Sequence, residues 1–485
     1  MVCVAALLGA GCKTYKDQAG VMTGAWRHGQ PAVAAKAFAT RAVHAGKTDA
    51  VVWNLEAGAA YRTAGDFTNS NHYLDAAAAV IADYEQQAKT KLGSETAAML
   101  SNQQTLPYRG KTYDKIMLHT YKALNYLSLG EEDKARPEII RAYQRQQDAV
   151  DENARRIERA QQAEAESKDK DKIEKSRNDP KFSAAVEGVT KNLEGFKFYA
   201  DYVNPFTVYL DGLFFLHAGS GGSDLERASK SLNRIIEVCG DNKFVQADLE
   251  TVTNAMAGQA PAPCTYVIFE TGQAASLDQV RIDVPIIAAK LSYVGAAFPR
   301  LVFHDDYSRG LKVKSGELEE TTLPLASMDS VVALDFKNEF PTIVTKTLIS
   351  TIAKAAAAYA ANDAARQQDQ LGGLFVQMFT TVVQAAVNIA DTRCWTTLPK
   401  EFQIARIPTP ADRKITLSTA NSLPVEVNLL DGRVNVVYVR SVTAATPLWV
   451  SQFKFGGPAP DSPAHPVAQV SEASPVSQVN TNESK

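Results

Sequence analysis

The chain has 485 residues, with 51 Lys and Arg against 54 Asp and Glu, a net charge of −3 and 45% hydrophobic residues. At about 100 to 200 residues per domain this length allows two to four cores, and so even a charge balance excludes a protein that neutralises nucleic-acid phosphates over a broad basic face. The five cysteines fall in no CxxC or Cys/His pattern, which argues against a disulfide framework or a structural zinc site.

The first residues, Met1-Val2-Cys3-Val4-Ala5-Ala6-Leu7-Leu8-Gly9-Ala10-Gly11-Cys12, are a small-residue apolar run ending at a cysteine, after which the chain turns polar. A lipoprotein signal needs small side chains before the cut and a thiol to acylate, so residues 1–12 read as such a signal with Cys12 as the lipidation site. Gly9 in place of the usual Leu, the shortness of the run and the lack of a preceding Lys or Arg depart from the pattern and point to a start further upstream. A frayed helix end is the alternative. A bilayer span is excluded, since it takes about 20 apolar residues.

From residue 13 to 257 the sequence is Ala-rich and helix-periodic, and a frame recurs in it. Gly58 and Tyr61 sit on one helix, Gly65-Asp66-Phe67 forms a turn, and Ser70, Leu74 and Ala77 face back from the next. Ala123, Tyr126, Gly130, Ala135, Ile139 and Ala142 repeat the frame, as do Gly212, Phe215, Gly219, Ala228, Leu232 and Ile235, with a weaker copy at Gly29, Ala34 and Phe38. Small residues at a crossing with large ones beside them are the packing logic of tetratricopeptide repeats, whose exposed apolar faces must be covered by neighbouring units. Unrelated Ala-rich helices are the alternative. Within this region 148–179 is almost wholly charged or polar, and reads as a solvated helical extension laced by i,i+4 ion pairs, with a partner-binding arm as the alternative.

Gly258-Gln259-Ala260-Pro261-Ala262-Pro263 is a linker, and beyond it the period becomes strand-like over 264–455. Strands are expected at 266–269, 280–284, 291–294, 300–303, 311–314, 318–323, 331–334, 415–417, 425–429, 434–439 and 448–450. Leu430-Asp431-Gly432-Arg433 predicts a hairpin turn. The expected sum is a β-sandwich interrupted by a helical hairpin over 341–390, whose Lys and Gln residues oppose a bilayer span; a membrane-active hairpin is the alternative. The Pro-rich residues 456–485 read as a disordered tail. The fold class is therefore α+β multidomain: a tetratricopeptide-like all-α half followed by a β-sandwich-like half with an inserted helical hairpin.

No phosphate loop, nucleophile elbow or H-E-x-x-H motif is present. His304-Asp305-Asp306 cannot converge on one ion from adjacent turn positions, Glu317, Glu319 and Glu320 read as solvated, and His28, His44, His72, His119 and His217 fall on the repeat helices. No metal and no cofactor are expected. Cys239 and Cys264 are either free thiols or a bridge formed in an oxidising compartment. Arg393 and Trp395 can either anchor a partner by stacking and bidentate hydrogen bonds or form a corner that locks the helical hairpin against the strands; the corner is the preferred reading.

At Ala123-Leu124-Asn125-Tyr126-Leu127, Asp211-Gly212-Leu213-Phe214-Phe215, Tyr266-Val267-Ile268-Phe269-Glu270-Thr271-Gly272 and Ala390-Asp391-Thr392-Arg393-Cys394-Trp395-Thr396-Thr397-Leu398-Pro399, the chain resembles an uncharacterised family of bacterial envelope lipoproteins with tetratricopeptide-like N-terminal halves. The resemblance spans most of the chain from Cys12 through the last predicted strand. It implies a cell-envelope setting, since the family's members are often encoded beside lipoproteins that resemble activators of penicillin-binding proteins, and brings no catalytic residues with it. Cys394 stands where the family is expected to carry Ser, which implies packing there. The expectation is a non-enzymatic, lipid-anchored scaffold on the outer membrane, facing the periplasm, that holds an envelope protein partner on its helical repeats, without nucleic acid. A peptidoglycan- or glycan-associated factor or enzyme is the alternative, and a pore accessory a third.

Overall fold

The computed structural model describes residues 15–90, 106–199, 202–286, 293–366 and 389–456. Cys12, nearly all of the second helix of the expected hairpin and the tail from residue 457 lie outside the described residues.

Helices come first: α1 (Tyr15–Arg27), α2 (Pro31–Val43), α3 (Ala50–Thr63), α4 (Phe67–Thr90), α5 (Thr112–Ser128), α6 (Glu132–Ala165), α7 (Lys170–Arg177), α8 (Pro180–Thr190), α9 (Pro205–His217), α10 (Gly222–Cys239) and α11 (Lys243–Met256). The pairs α1–α2, α3–α4, α5–α6 and α9–α10 pack as hairpins. Successive hairpins then pack on each other through α2 on α3, α4 on α5 and α6 on α9. The recurring small residues act where two helices cross. A Cβ at Gly58 would lie 2.7 Å from the Leu74 side chain, closer than side chains come without a shift, and one at Gly212 would lie 3.0 Å from Leu232, which would have to yield by a few tenths of an ångström. Ser70, buried at the first crossing, donates to the Gly58 carbonyl at 2.7 Å.

The strands are β1 (Cys264–Thr271), β2 (Ser276–Pro285), β3 (Tyr293–Val302), β4 (Lys312–Ser315), β5 (Leu318–Thr321), β6 (Leu323–Ser327), β7 (Glu401–Pro408), β8 (Lys414–Ser418), β9 (Val425–Asn428), β10 (Val434–Ser441) and β11 (Trp449–Phe455), with helix α12 (Met328–Arg366) between β6 and β7. The layout is thus α+β, helices then strands. Among the described residues the strands form three sheets: β11-β10-β1-β7-β6, the pair β2-β3, and β5-β4-β8-β9. In the five-stranded sheet β1 and β10 are parallel, and β7 lies antiparallel to β1.

Several expectations need correction. The expected sandwich includes no layer of helices from the first half of the chain, yet the five-stranded sheet carries helices on one face: Phe206 of α9 stacks on Phe402 of β7 with centroids 3.8 Å apart. Residues 331–334 are helical. Ser327 caps α12 by accepting the Ser330 N–H at 3.2 Å, and buried Val332, Phe336, Phe340, Val344, Leu348 and Ile352 follow an i,i+4 stripe that a short β-branched run concealed. The Asp431-Gly432 turn joins no hairpin, because β9 and β10 belong to different sheets. Glycine is required at 432 for a different reason: a Cβ there would meet Lys454 of β11 at 2.6 Å. Strand β7, an interior strand between β1 and β6, went unpredicted, since Glu401, Gln403 and Arg406 interrupt its apolar pattern.

The charged segment 148–179 is helical, yet one side of it is not solvated. Ala135, Ile139, Ala142, Gln146, Ala149 and Ala160 of α6 are buried at alternating 4-3 spacing, the seam a neighbouring helix follows. α6 packs against its hairpin partner α5 and also against α12, which runs along α6 and α7. Arg156 reaches Glu339 at 3.5 Å, Arg177 donates to Thr345 at 3.1 Å, and Ser176 donates to the Pro285 carbonyl at 2.6 Å. Alanines bury little hydrophobic surface each, so the seam escapes a hydropathy reading. Cys239, Cys264 and Cys394 are free thiols. A single cluster of buried apolar side chains runs from Tyr15 to Phe455, so the two halves share one core.

Candidate functional site

The segment that enters β7 is held by the first helices. Arg393 is 1% exposed and uses its whole donor fork: Nε and Nη2 donate to Asp391 at 2.8 and 2.7 Å, and Nη1 donates to Asp49 at 2.9 Å and the Thr48 carbonyl at 3.0 Å. Nη2 also donates to the Leu106 carbonyl at 2.9 Å. Burial pulls its pKa down, and Asp391 and Asp49 more than offset this, holding the guanidinium above its ordinary value. Trp395, also 1% exposed, donates from Nε1 to Thr397 at 3.0 Å and meets Tyr121 edge-on at 5.6 Å. Both side chains are buried and fasten residues 391–397 to Asp49, ahead of α3, and to Tyr121 of α5, a corner with the first helices and not the one with the helical hairpin preferred above.

Glu56 of α3, which the sequence did not single out, completes the corner. Its carboxylate, fully buried, accepts the backbone N–H groups of Thr396 and Thr397 at 2.6 and 3.1 Å, both threonine hydroxyls at 2.7 Å and the Tyr15 hydroxyl at 2.7 Å. Burial raises its pKa, and these donors limit the rise. Cys394 lies between them. Its sulfur accepts the Leu277 N–H at 3.4 Å, and burial pushes the thiol up to about 12, which makes it packing and not a nucleophile.

The helix-facing side of the sheet carries two more carboxylates. Asp248 of α11 accepts Tyr266 and Tyr209 hydroxyls at 2.6 and 2.8 Å with Arg406 at 3.1 Å, and burial raises it to about 6. His217 contacts the same Tyr266 hydroxyl at 3.0 Å and is held neutral chiefly by burial. Glu270 of β1 accepts the Tyr121 hydroxyl at 2.5 Å and the Tyr438 hydroxyl. A His-Tyr-Asp chain can relay a proton, but Tyr266 and Asp248 are wholly buried, and their hydrogen bonds tie α9 and α11 to β1. Sequence signals for these pairings are absent, because each joins residues far apart in the chain.

A third cluster lies where α5, α6 and α12 meet. Lys111 Nζ pairs with Glu339 at 2.6 Å, and Asp114 accepts the Tyr108 hydroxyl at 2.5 Å and the Lys111 N–H at 2.8 Å. The Oδ1 atoms of Asp114 and Asp335 accept no hydrogen bond among the described residues. Asp335 borders a cavity of about 10 Å³ with Thr112, Tyr113 and Tyr202, the room of about one water. Tyr202 stands beside it at φ +58°, a region costly for a bulky side chain. Burial raises Asp114 to about 7, and burial followed by the Glu339 charge raises Asp335.

The remaining candidates are dispersed. His304 meets Ser276 at 3.0 Å, Asp305 reaches Lys400 at 3.3 Å, and Asp306 accepts the Ala444 N–H at 3.1 Å, so the three diverge. His119 pairs with Glu138 at 2.6 Å. Among the described residues no group of three His, Cys, Asp or Glu converges as a metal site, and no helix is long and apolar enough to cross a membrane. Compared with known proteins, the chain matches no family model, no curated protein and no solved structure.

Proposed function

We propose that this protein is a lipid-anchored adaptor of the bacterial cell envelope, non-enzymatic, in which tetratricopeptide-like hairpins are braced by the strand half and hold a protein partner. The observation that carries this reading is how the buried ionisable groups are spent. Glu56 receives five donors, Arg393 gives all five of its own, and Asp248 and Glu270 are engaged by tyrosines and arginines. These groups fasten helices to strands. The first helices of two hairpins spend their inner side on the chain's own sheet, through Tyr121 of α5 to Glu270 and Phe206 of α9 on Phe402. A partner is therefore held on the outer helices, α2, α4, α6 and α10, and not in the inner concavity expected from the repeats alone.

Photo-crosslinking in intact cells from positions on the outer side of α6, such as Tyr143 and Val150, tests this. Recovery of one envelope protein from these positions, and not from positions on β3, supports the adaptor. Crosslinks confined to peptidoglycan would favour the glycan-associated alternative. Replacing Cys12 with Ser should release the protein to the soluble fraction, and continued membrane association would remove the anchor from the proposal.

A further inference from the structure

Around Glu270 the buried charges do not balance. Two guanidinium groups, Arg440 and Arg62, share this part of the seam with one carboxylate; Arg440 is 3% and Arg62 is 6% exposed. Glu270 already accepts the Tyr121 and Tyr438 hydroxyls, and Arg440 Nε stands 3.4 Å from it, at ion-pair range without a hydrogen bond. Nε and Nη2 of Arg440, Nε of Arg62 and Nε1 of Trp26 have no acceptor among the described residues. Trp26 is wholly buried.

All of these unpaired atoms are donors, since neither guanidinium nor indole has an acceptor to offer. Leaving them bare in a packed interior, with one uncompensated positive charge, is costly. A single ligand removes both costs if it is an acceptor and negative. The guanidinium faces are taken by aromatic rings: Arg440 lies 5.6 Å from the Trp26 centroid, and Arg62 lies 4.5 Å from that of Tyr438 and 5.3 Å from that of Tyr121. Nη1 of Arg440 donates to the Ser441 carbonyl at 3.2 Å and Nη1 of Arg62 to Asn125 at 2.8 Å, so what remains to bind is chiefly the Nε and Nη2 edge of Arg440, which limits the ligand to a small one.

We propose that the Nε and Nη2 edge of Arg440, beside Trp26, forms a buried binding site for a small inorganic anion of chloride size between α1 and the five-stranded sheet. The anion neutralises the second guanidinium and ties the first helical hairpin to β10. The site is independent of the adaptor reading and stands or falls without it.

The test is thermal unfolding of the full chain while sodium chloride replaces sodium gluconate at constant ionic strength. Binding to the folded state raises Tm with chloride, by roughly 2 °C per tenfold increase beyond half-saturation for a chain of this size. Arg440→Gln should lose that increment, whereas Arg155→Ala on the exposed side of α6 should keep it. Should Arg440→Gln fail to fold, chloride-35 line broadening by the wild-type chain, relieved by bromide, reads the same site. Superimposed chloride and gluconate curves, an increment that survives in Arg440→Gln, or an unbroadened chloride line would overturn the proposal.

Discussion

Two buried polar regions of this molecule, the Arg393–Glu56 corner and the Asp114–Asp335 cluster, are similar in burial and opposite in how they are satisfied. At the corner every donor of Arg393 meets an acceptor and Glu56 takes five hydrogen bonds. At the cluster both aspartates keep a bare oxygen. The difference teaches that burial alone does not define a lock. A saturated network holds its charges and fixes geometry, whereas an unsaturated one relieves its cost by taking up a proton.

The comparison breaks first at the corner. Arg393→Ala leaves Asp391 and Asp49 without their cation and strips two backbone carbonyls, so a loss of about 3–5 kcal/mol is expected in denaturant unfolding. Arg393→Lys should recover only part of it, because an ammonium cannot reproduce the fork. A loss below about 1 kcal/mol for the alanine variant would show that the corner is not a lock.

The cluster should respond to pH. The Asp114 carboxyl titrates near 3.8 when unfolded and at about 7 when folded, so between these values the folded chain holds a proton that the unfolded chain has released. Stability contributed by this group is therefore full at low pH, falls as pH rises through that window, and levels off above about 7. The difference between wild type and Asp114→Asn, measured by unfolding from pH 4 to 8, should span a few kcal/mol. A difference that does not change with pH would place the two regions in one class.

Smaller effects sharpen the contrast between the sides of α6. Ala149→Leu overfills the buried side of α6 and should cost about 1–3 kcal/mol, while Arg155→Ala on the exposed side should stay within about 0.5 kcal/mol. Equal costs at the two positions would mean that α6 does not pack as described.

Much of the helical half was legible because its signals are local. Gly58 with Leu74 and Gly212 with Leu232 stand in a repeated frame, and Gly65 and Gly130 adopt the positive φ their turns need. The alanine seam of α6 was present but faint, since its charged neighbours dominate any average over the segment. In the strand half, β7 was hidden because Arg406 and Glu401 occupy an interior strand, and they are tolerated there only because Lys400, Gln403 and Asp248 stand near them. Arg393 and Trp395 were legible as a corner. Its true counterpart, Glu56, was not, because one acidic residue among the alanines of a helix gives no sign that it will receive four donors from about 340 residues away and a fifth from Tyr15.

By itself the sequence determined that helices come first and strands after, with the turns between hairpins and the small residues that let helices cross, because each depends on neighbours within a few dozen positions. Only the tertiary structure decided that the strands divide among three sheets, that helices cover one face of the largest, and that buried charges are satisfied at one junction and left open at another. Those outcomes depend on which distant groups meet, and hydrogen bonds and ion pairs are short-ranged enough that nothing local can anticipate them.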